Sequence, residues 1–147
     1  MKTNKSNHYA QLFTIIEVIA VLIVLSVLTA IVVSRIGYSN AELNKETQLL
    51  KSYLRYAQSL SMSDDSETWG IRLEAKAIIL QNNGVDATIP LPLEESARHQ
   101  LTNVTLNATT ITFDKWGSPG SSTISITLDD GTETSTVTIS ANSGFVP

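Results

Sequence analysis

Residues 12–36 read LFTIIEVIAVLIVLSVLTAIVVSRI, and this stretch decides the architecture of the chain. Between Phe13 and Ser34 there is one charged residue, Glu17. A run of about 18 or more apolar residues is long enough to cross the hydrocarbon core of a bilayer as a helix. The apolar residues fall on every face of such a helix, so it favours apolar surroundings on all sides. We therefore predict a membrane-spanning helix over residues 13–36.

Glu17 is the exception within this helix. A carboxylate inside a membrane costs a few kcal/mol and usually marks a partner or a function. Glu17 falls in the predicted first turn, where the positive end of the helix dipole reduces that cost. Two explanations remain open. Glu17 either lies at the interface and reaches the headgroups, or it pairs with a cation such as an N-terminal amine.

Residues 1–12, MKTNKSNHYAQL, form a short basic leader ahead of the helix. They carry Lys2 and Lys5 and no acidic residue, which favours a cytoplasmic N-terminus. An ordinary secretory signal peptide fits less well, because the apolar run is too long and no Ala-x-Ala-like site follows it. The residues after Arg35 are therefore predicted to lie across the membrane.

The sequence Phe13-Thr14-Ile15-Ile16-Glu17-Val18, followed by the apolar run, resembles the N-terminal signature of type IV pilins and type II secretion pseudopilins. The resemblance implies cleavage by a prepilin peptidase between Leu12 and Phe13, and N-methylation of Phe13. It assigns Glu17 to filament assembly, paired with the N-terminal amine of a neighbouring subunit. It also implies four kinds of partner: other pilin or pseudopilin subunits, the peptidase, an inner-membrane assembly platform and a cytoplasmic ATPase.

Leu12 departs from the family pattern, which has a small residue, normally Gly, before the cleaved bond. Three outcomes stay open at this point. The chain is processed slowly, is processed by a variant peptidase, or remains a membrane-anchored precursor.

Residues 37–63 are predicted to continue the helix in amphipathic form. Apolar residues recur at steps of three, four and seven and predict a buried stripe: Leu43, Leu50, Leu54 and Ala57, widened by Leu49, Tyr53 and Leu60. Charged residues outside the stripe are predicted to face solvent: Lys45, Glu46, Lys51 and Arg55. Gly37 is either a bend point or the end of the membrane segment.

Residues 67–147 are β-rich. Short alternating or apolar runs predict strands at 69–73, 77–80, 104–106, 110–113, 122–128 and 134–140. Asp130-Gly131 predicts a hairpin between the last two. Residues 85–100, with Pro90 and Pro92, are predicted to form a crossover loop with room for one helical turn. The segments 54–63 and 113–117 resemble those of H-type minor pseudopilins.

Composition argues against catalysis and redox chemistry. The 147 residues allow one membrane helix and one small domain, and the chain contains no cysteine. His99 is the single histidine after the leader, and no nucleophile lies beside a base, so we predict no catalytic residue and no cofactor. His99 is expected in a loop or at the surface. Glu94 and Glu95, which are adjacent to each other in a hydrophilic segment, are expected to be solvated.

Metal and nucleic-acid binding are also disfavoured. Asp129, Asp130 and Glu133 surround Gly131 with the spacing of a tight hairpin and without an EF-hand loop, so we predict an unmetallated turn. DNA-capturing relatives of this sub-family carry arginines near the C-terminus. Here the corresponding residues 144–147 read GFVP, and no Lys or Arg follows Lys115. Phosphate binding depends on such cations.

Together these observations predict an α+β protein in which a long N-terminal helix packs its outer half on one small antiparallel β-sheet. The resemblance implies a structural subunit of a type II secretion pseudopilus or type IV pilus. It would be anchored in the bacterial inner membrane, with its β domain in the periplasm, before assembly into a filament. Two alternatives remain: a DNA-uptake minor pilin, or a non-assembling bitopic membrane protein with a periplasmic binding domain.

Overall fold

The computed structural model describes residues 14–64 and 66–147, and residues 32–40 by their backbone alone. One α-helix, α1, covers Ile15–Ser63. In the described residues it is followed by the strands β1 (Trp69–Glu74), β2 (Ala77–Asn82), β3 (Val85–Asp86), β4 (Arg98–Gln100), β5 (Thr105–Leu106), β6 (Thr109–Phe113), β7 (Ile124–Asp129) and β8 (Thr134–Ile139). The chain divides into two compact units, Met1–Gly37 and Tyr38–Pro147. The predicted α+β class is confirmed.

Both ends of α1 have local causes in the sequence. Thr14 precedes the first helical residue, and its Oγ1 accepts a hydrogen bond of 3.3 Å from the backbone N–H of Glu17. The same N–H also donates to the carbonyl of Thr14 over 3.0 Å, so both oxygens of this residue cap the first turn. At the other end, the Ser63 hydroxyl donates to the carbonyl of Leu60 over 2.8 Å. The helix thus ends at Ser63, in a segment rich in Ser and Asp.

The strands form two antiparallel sheets where the sequence predicted one. In the first sheet β1 lies between β2 and β6, and the outer edge of β2 pairs with β3 at one end and β4 at the other. The second sheet has the order β5-β7-β8. The connection from β6 to β7 contains Pro119 and Gly120 and makes no tight hairpin. The strand β7 pairs with β5 on one side and with β8 on the other.

The predicted hairpin between β7 and β8 is confirmed. Ile124 pairs with Ile139 and Asp129 with Thr134, and the register is continuous between them. The turn is closed by a 3.2 Å hydrogen bond from the N–H of Asp130 to the carbonyl of Glu133. Gly131 has a φ of 85°, a conformation that glycine adopts without the steric cost that other residues incur.

The segment predicted as a crossover loop, 85–100, contains β3 and β4 and no helical turn. Pro90 and Pro92 lack the backbone N–H that a helical turn needs. The loop closes on itself through a 2.9 Å hydrogen bond from the N–H of Leu91 to the carbonyl of Ser96. It then returns to the edge of β2, where His99 pairs with Ile78.

The core of the unit Tyr38–Pro147 contains the predicted helix stripe. Leu50, Leu54 and Ala57 are completely buried, and Leu43 is 4% exposed. Burying one leucine side chain contributes roughly 1.5–3 kcal/mol relative to leaving it in water. The stripe packs in one apolar cluster with residues of both sheets, among them Ile71, Leu80, Ile111, Phe113, Ile126, Leu128, Val137 and Ile139. This packing determines which face of the helix meets the sheets.

Candidate assembly site

The helix from Ile15 to Ile31 exposes apolar side chains on every face. Its large hydrophobic residues are between 47% and 81% exposed: Ile15, Ile16, Val18, Ile19, Val21, Leu22, Ile23, Val24, Leu25, Val27, Leu28 and Ile31. An exposed apolar surface of this extent marks an interaction with a protein or a membrane. This part of the chain is therefore the main candidate for an assembly surface.

The hydroxyl groups within this segment are satisfied by the helix itself. Ser26 donates to the carbonyl of Leu22, and Thr29 donates to the carbonyl of Leu25, each over 2.7 Å. A hydroxyl that is moved into apolar surroundings without a hydrogen bond is destabilising. Because both groups already have acceptors on the helix, the segment can be buried among apolar groups without this cost.

Glu17 lies in the first turn of α1, as predicted, and is exposed. Its neighbours on the helix surface are Val18, Val21 and Leu22. Within the described residues its carboxylate forms no ion pair. Leu12 and Phe13 lie outside the described residues, so the cleavage site, the methylated amine and its pairing with Glu17 stay predictions.

A membrane span is not identified in the described part of the chain, where no helix combines the length and hydropathy required. The predicted span, residues 13–36, includes positions outside that part.

Ser61 attaches the end of α1 to the first sheet. It is completely buried, and its hydroxyl oxygen accepts a 3.1 Å hydrogen bond from the N–H of Trp69 at the start of β1. The same hydroxyl lies 3.0 Å from the carbonyl of Phe113, to which it donates. One side chain therefore connects the helix to two neighbouring strands. This contact depends on the tertiary fold and has no signal in the sequence.

A buried polar cluster joins α1 to the β4 strand. His99 Nε2 lies 2.7 Å from Oε2 of Glu46 on the helix, and Nδ1 lies 2.6 Å from Oε1 of Glu94 in the preceding loop. The Tyr53 hydroxyl donates to the same Glu94 oxygen over 3.1 Å. Glu46 and His99 are 3% and 8% exposed. We refer to Glu46, Tyr53, Glu94 and His99 as the histidine cluster.

The histidine cluster corrects three predictions. Glu46 and Glu94 were expected to face solvent and His99 to lie in a loop or at the surface, but both carboxylates bond to His99 at the interface between helix and sheet. Glu46 comes three residues after Leu43 and four before Leu50, so its spacing placed it within the buried stripe. The charge of Glu46 suggested exposure to solvent, whereas its spacing indicated burial. The side chain is buried because His99 of β4 supplies a polar partner. Nothing in the sequence indicated that partner.

The cluster also changes the ionisation of Tyr53. Burial of the phenol, followed by its hydrogen bond to Glu94, raises the pKa of Tyr53 well above its ordinary value. The nearby Glu46 charge acts in the same direction. Tyr53 therefore remains a protonated donor over the physiological pH range.

The aspartates of the turn between β7 and β8 accept hydrogen bonds from backbone N–H groups of the same turn. Asp129 Oδ1 accepts from the N–H of Gly131 over 2.7 Å, and Asp130 Oδ1 accepts from the N–H groups of Thr132 and Glu133 over 2.8 Å. Across the described residues, no group of three or more His, Asp or Glu side chains is arranged to hold a metal ion. These acidic residues therefore stabilise the turn.

The last residues pack on the end of the helix. Gly144 and Val146 are buried, and Arg55 donates to the carbonyl of Val146 over 3.0 Å. Phe145, between Gly144 and Val146, is exposed. The guanidinium of Arg55 is thus bonded to a backbone carbonyl of the last residues.

Comparisons with known proteins identify the fold. No protein-family model matches the chain, and no curated protein sequence matches it. The structure is similar to the crystal structure of the type IV minor pilin FimU from Pseudomonas aeruginosa, with a TM-score of 0.53. The match covers 71% of this chain and 90% of the FimU chain, at 19% sequence identity. The chain therefore has a type IV pilin-like fold.

Proposed function

We propose that this chain is a structural subunit of a bacterial filament, either a type IV pilus or a type II secretion pseudopilus. The observation that carries the proposal is the helix Ile15–Ile31, which is apolar on all faces and exposed, in a chain with a type IV pilin-like fold. FimU is named a type IV minor pilin, which supports a minor subunit. In this function the protein has no active site and acts through its surfaces.

Before assembly, the apolar segment 13–36 anchors the chain in the inner membrane, with the leader in the cytoplasm and the β domain in the periplasm. The basic residues of the leader and the apolar composition support this arrangement. After assembly, the same surface packs against the helices of other subunits. Lipid tails and apolar side chains are similar environments, so the transfer changes the solvation of the helix little.

Glu17 determines how far one subunit advances past the next. The prepilin peptidase cleaves between Leu12 and Phe13, the new amine is methylated, and this amine pairs with Glu17 of a neighbouring subunit on the assembly platform. A lone carboxylate in apolar surroundings is destabilised by a few kcal/mol, and a cationic partner offsets that cost. The pair therefore forms when subunits are in the correct axial register.

Substitution of Glu17 tests this mechanism. In Glu17→Gln the carboxylate is lost and the helix is retained, so we expect normal membrane insertion and a reduced amount of the chain in sheared filaments. Glu42→Gln removes the same charge from the same helix, outside the apolar segment, and serves as the matched control. Filaments would be collected from the native host and the chain quantified by immunoblotting. Incorporation of Glu17→Gln at the level of Glu42→Gln would contradict the proposal.

Processing is tested separately by mass spectrometry of the N-terminus in the native host. A methylated Phe13 is expected on the filament-associated protein. Because the peptidase site favours a small residue, Leu12→Gly should increase the processed fraction. If both the parent protein and the Leu12→Gly variant retain Met1 and still enter filaments, the role of a free Phe13 amine is contradicted. A chain that retains Met1 and is absent from filaments would favour a bitopic membrane protein with a binding domain.

A further inference from the structure

The histidine cluster places one imidazole between two carboxylates, and this requires a defined number of protons. Each of the contacts Nδ1 to Glu94 and Nε2 to Glu46 is a hydrogen bond of 2.6 or 2.7 Å, and each needs one proton between its two atoms. The two protons are either both on His99, or one is on His99 and the other on Glu46 or Glu94. A neutral imidazole carries a single N–H and cannot donate to both sides.

The surroundings of the carboxylates favour the first arrangement. Glu94 Oε1 accepts from the Tyr53 hydroxyl in addition to His99, and an ionised carboxylate is the better acceptor of two donors. Glu46 has a second cationic neighbour, because Lys45 Nζ lies 3.4 Å from its Oε1. The Lys45 side chain is 65% exposed, so this ion pair is weak. It still favours the ionised form of Glu46 over the protonated form. Both carboxylates therefore have partners suited to negative charge.

The other groups around His99 do not compete for these bonds. On β2, the residue opposite His99 is Ile78, which is buried and apolar. Arg98, the preceding residue, pairs with Glu74 over 2.9 Å. The Tyr53 ring lies 5.6 Å from the imidazole, centroid to centroid, and covers one side of it. The charged groups that face His99 are therefore Glu46 and Glu94, with Lys45 behind Glu46.

We propose that His99 is held as a doubly protonated imidazolium that clasps the 87–97 loop and β4 to the helix α1, and that loss of one of its protons weakens the attachment of the loop to the helix. When the imidazole becomes neutral, a nitrogen lone pair faces a carboxylate oxygen, and one of the two bonds is lost. Apolar packing also holds the loop, because Leu91 is buried in the core cluster that contains Leu50 and Leu54. The hydrogen bonds of the histidine cluster add a polar attachment between the loop and the helix. The attachment of the loop to the helix therefore depends on pH. This proposal does not rest on the proposed function in filaments.

The direction of the pH effect follows from the charge of each group. As the pH rises and His99 loses a proton, the clasp opens. As the pH falls far enough to protonate Glu46 and Glu94, the imidazolium loses its anionic partners and the clasp weakens again. The loop is therefore attached most strongly at pH values where His99 carries both protons and the two glutamates are ionised.

Nitrogen-15 NMR of the histidine side chains tests the protonation state directly. The full chain would be labelled at its histidines and studied in detergent micelles. It has two histidines, so a His8→Gln variant assigns the signals of His99. Spectra at about pH 6 and about pH 9 would be compared, and we expect protons on both ring nitrogens at the lower pH and on one at the higher pH. A ring nitrogen without a proton at the lower pH would overturn the proposal, because the second proton would then be on a carboxylate.

Hydrogen exchange tests whether the clasp holds the loop. In Glu94→Gln the backbone amides of residues 91 and 94 should exchange about tenfold faster at the lower pH, as expected when a charge-assisted hydrogen bond is replaced by a weaker neutral one. Glu95→Gln removes an adjacent exposed carboxylate and is the matched control. Amides of the β7–β8 hairpin in the same sample report any global change. Equal loop exchange in the two variants would also overturn the proposal.

Discussion

The side-chain amide of Gln58 lies 2.7 Å from the carbonyl oxygen of Gly117, 59 residues later in the chain. The same Nε2 is 3.1 Å from the carbonyl of Gly144. One residue of the helix thus holds both the turn after β6 and the last residues of the chain. Without this donor, two partly buried carbonyls that belong to different loops lose their side-chain partner.

We expect Gln58→Ala to destabilise the domain by about 1–3 kcal/mol, because two partly buried carbonyls lose their side-chain hydrogen-bond donor. Unfolding by urea would be followed by the fluorescence of Trp69, which is 7% exposed. Gln48→Ala changes an exposed glutamine of the same helix and serves as the control. Equal unfolding midpoints for the two variants would show that the Gln58 bonds contribute nothing.

The carbonyl oxygen of Gly117 lies too close to Gly144 for residue 144 to carry a side chain. It has a φ of 63°, and a methyl group added there would overlap the carbonyl oxygen of Gly117. Gly131 also has a positive φ, 85°, but open space surrounds its Cα.

The alanine variants of these two glycines therefore separate backbone strain from collision. Gly131→Ala should cost about 1–2 kcal/mol from the left-handed conformation alone. Gly144→Ala should cost more, since the backbone of Gly117 has to move as well. Urea unfolding of both variants makes the comparison, and equal losses would contradict the packing described for the last residues.

Tyr53 is predicted to make stability depend on alkaline pH. Its folded-state pKa is raised by burial and by Glu94, whereas in the unfolded chain it titrates near the ordinary value of about 10. The contribution of the raised pKa is fully present below that pH. Above it, the unfolded state releases a proton that the folded state retains, and the free energy of unfolding falls by up to about 1.4 kcal/mol per pH unit.

Tyr53→Phe should remove this part of the alkaline slope, at the cost of roughly 0.5–1.5 kcal/mol near neutral pH for the lost hydrogen bond to Glu94. Tyr56→Phe, at a half-buried tyrosine of the same helix, is the control and should retain the slope. The measurement is the urea midpoint as a function of pH. A parent and a Tyr53→Phe variant with parallel profiles above pH 10 would count against the described environment of Tyr53.

Leu93 is a position where substitution should stabilise the protein. It has a φ of 68° and is 94% exposed, so it bears a left-handed conformation without burying its side chain. Asparagine tolerates this conformation better than leucine. Leu93→Asn should therefore raise the unfolding free energy by about 0.5–1 kcal/mol. Leu93→Ala removes the side chain but keeps most of the backbone cost, and it should change the thermal midpoint less.

The architecture of α1 was predictable because it depends on local pattern. The stripe from Leu43 to Ala57 repeats with the helical period, and the Ser- and Asp-rich end of the helix has its own local signal. The hairpin at Asp130-Gly131 was equally local. The division into two sheets was not predictable, because it depends on whether β6 or β5 reaches β7, and both have similar alternation.

The sequence by itself determined the helix Ile15–Ser63, the apolar character of its first half, the position of Glu17 in the first turn and the α+β class. Periodicity and capping act between residues a few positions apart, so one sequence is enough to reveal them. Only the tertiary structure brought His99 to Glu46 and Gln58 to Gly117. These partners are separated by more than 50 residues. Their contact depends on the pairing of strands that are distant in the sequence, which no local pattern encodes.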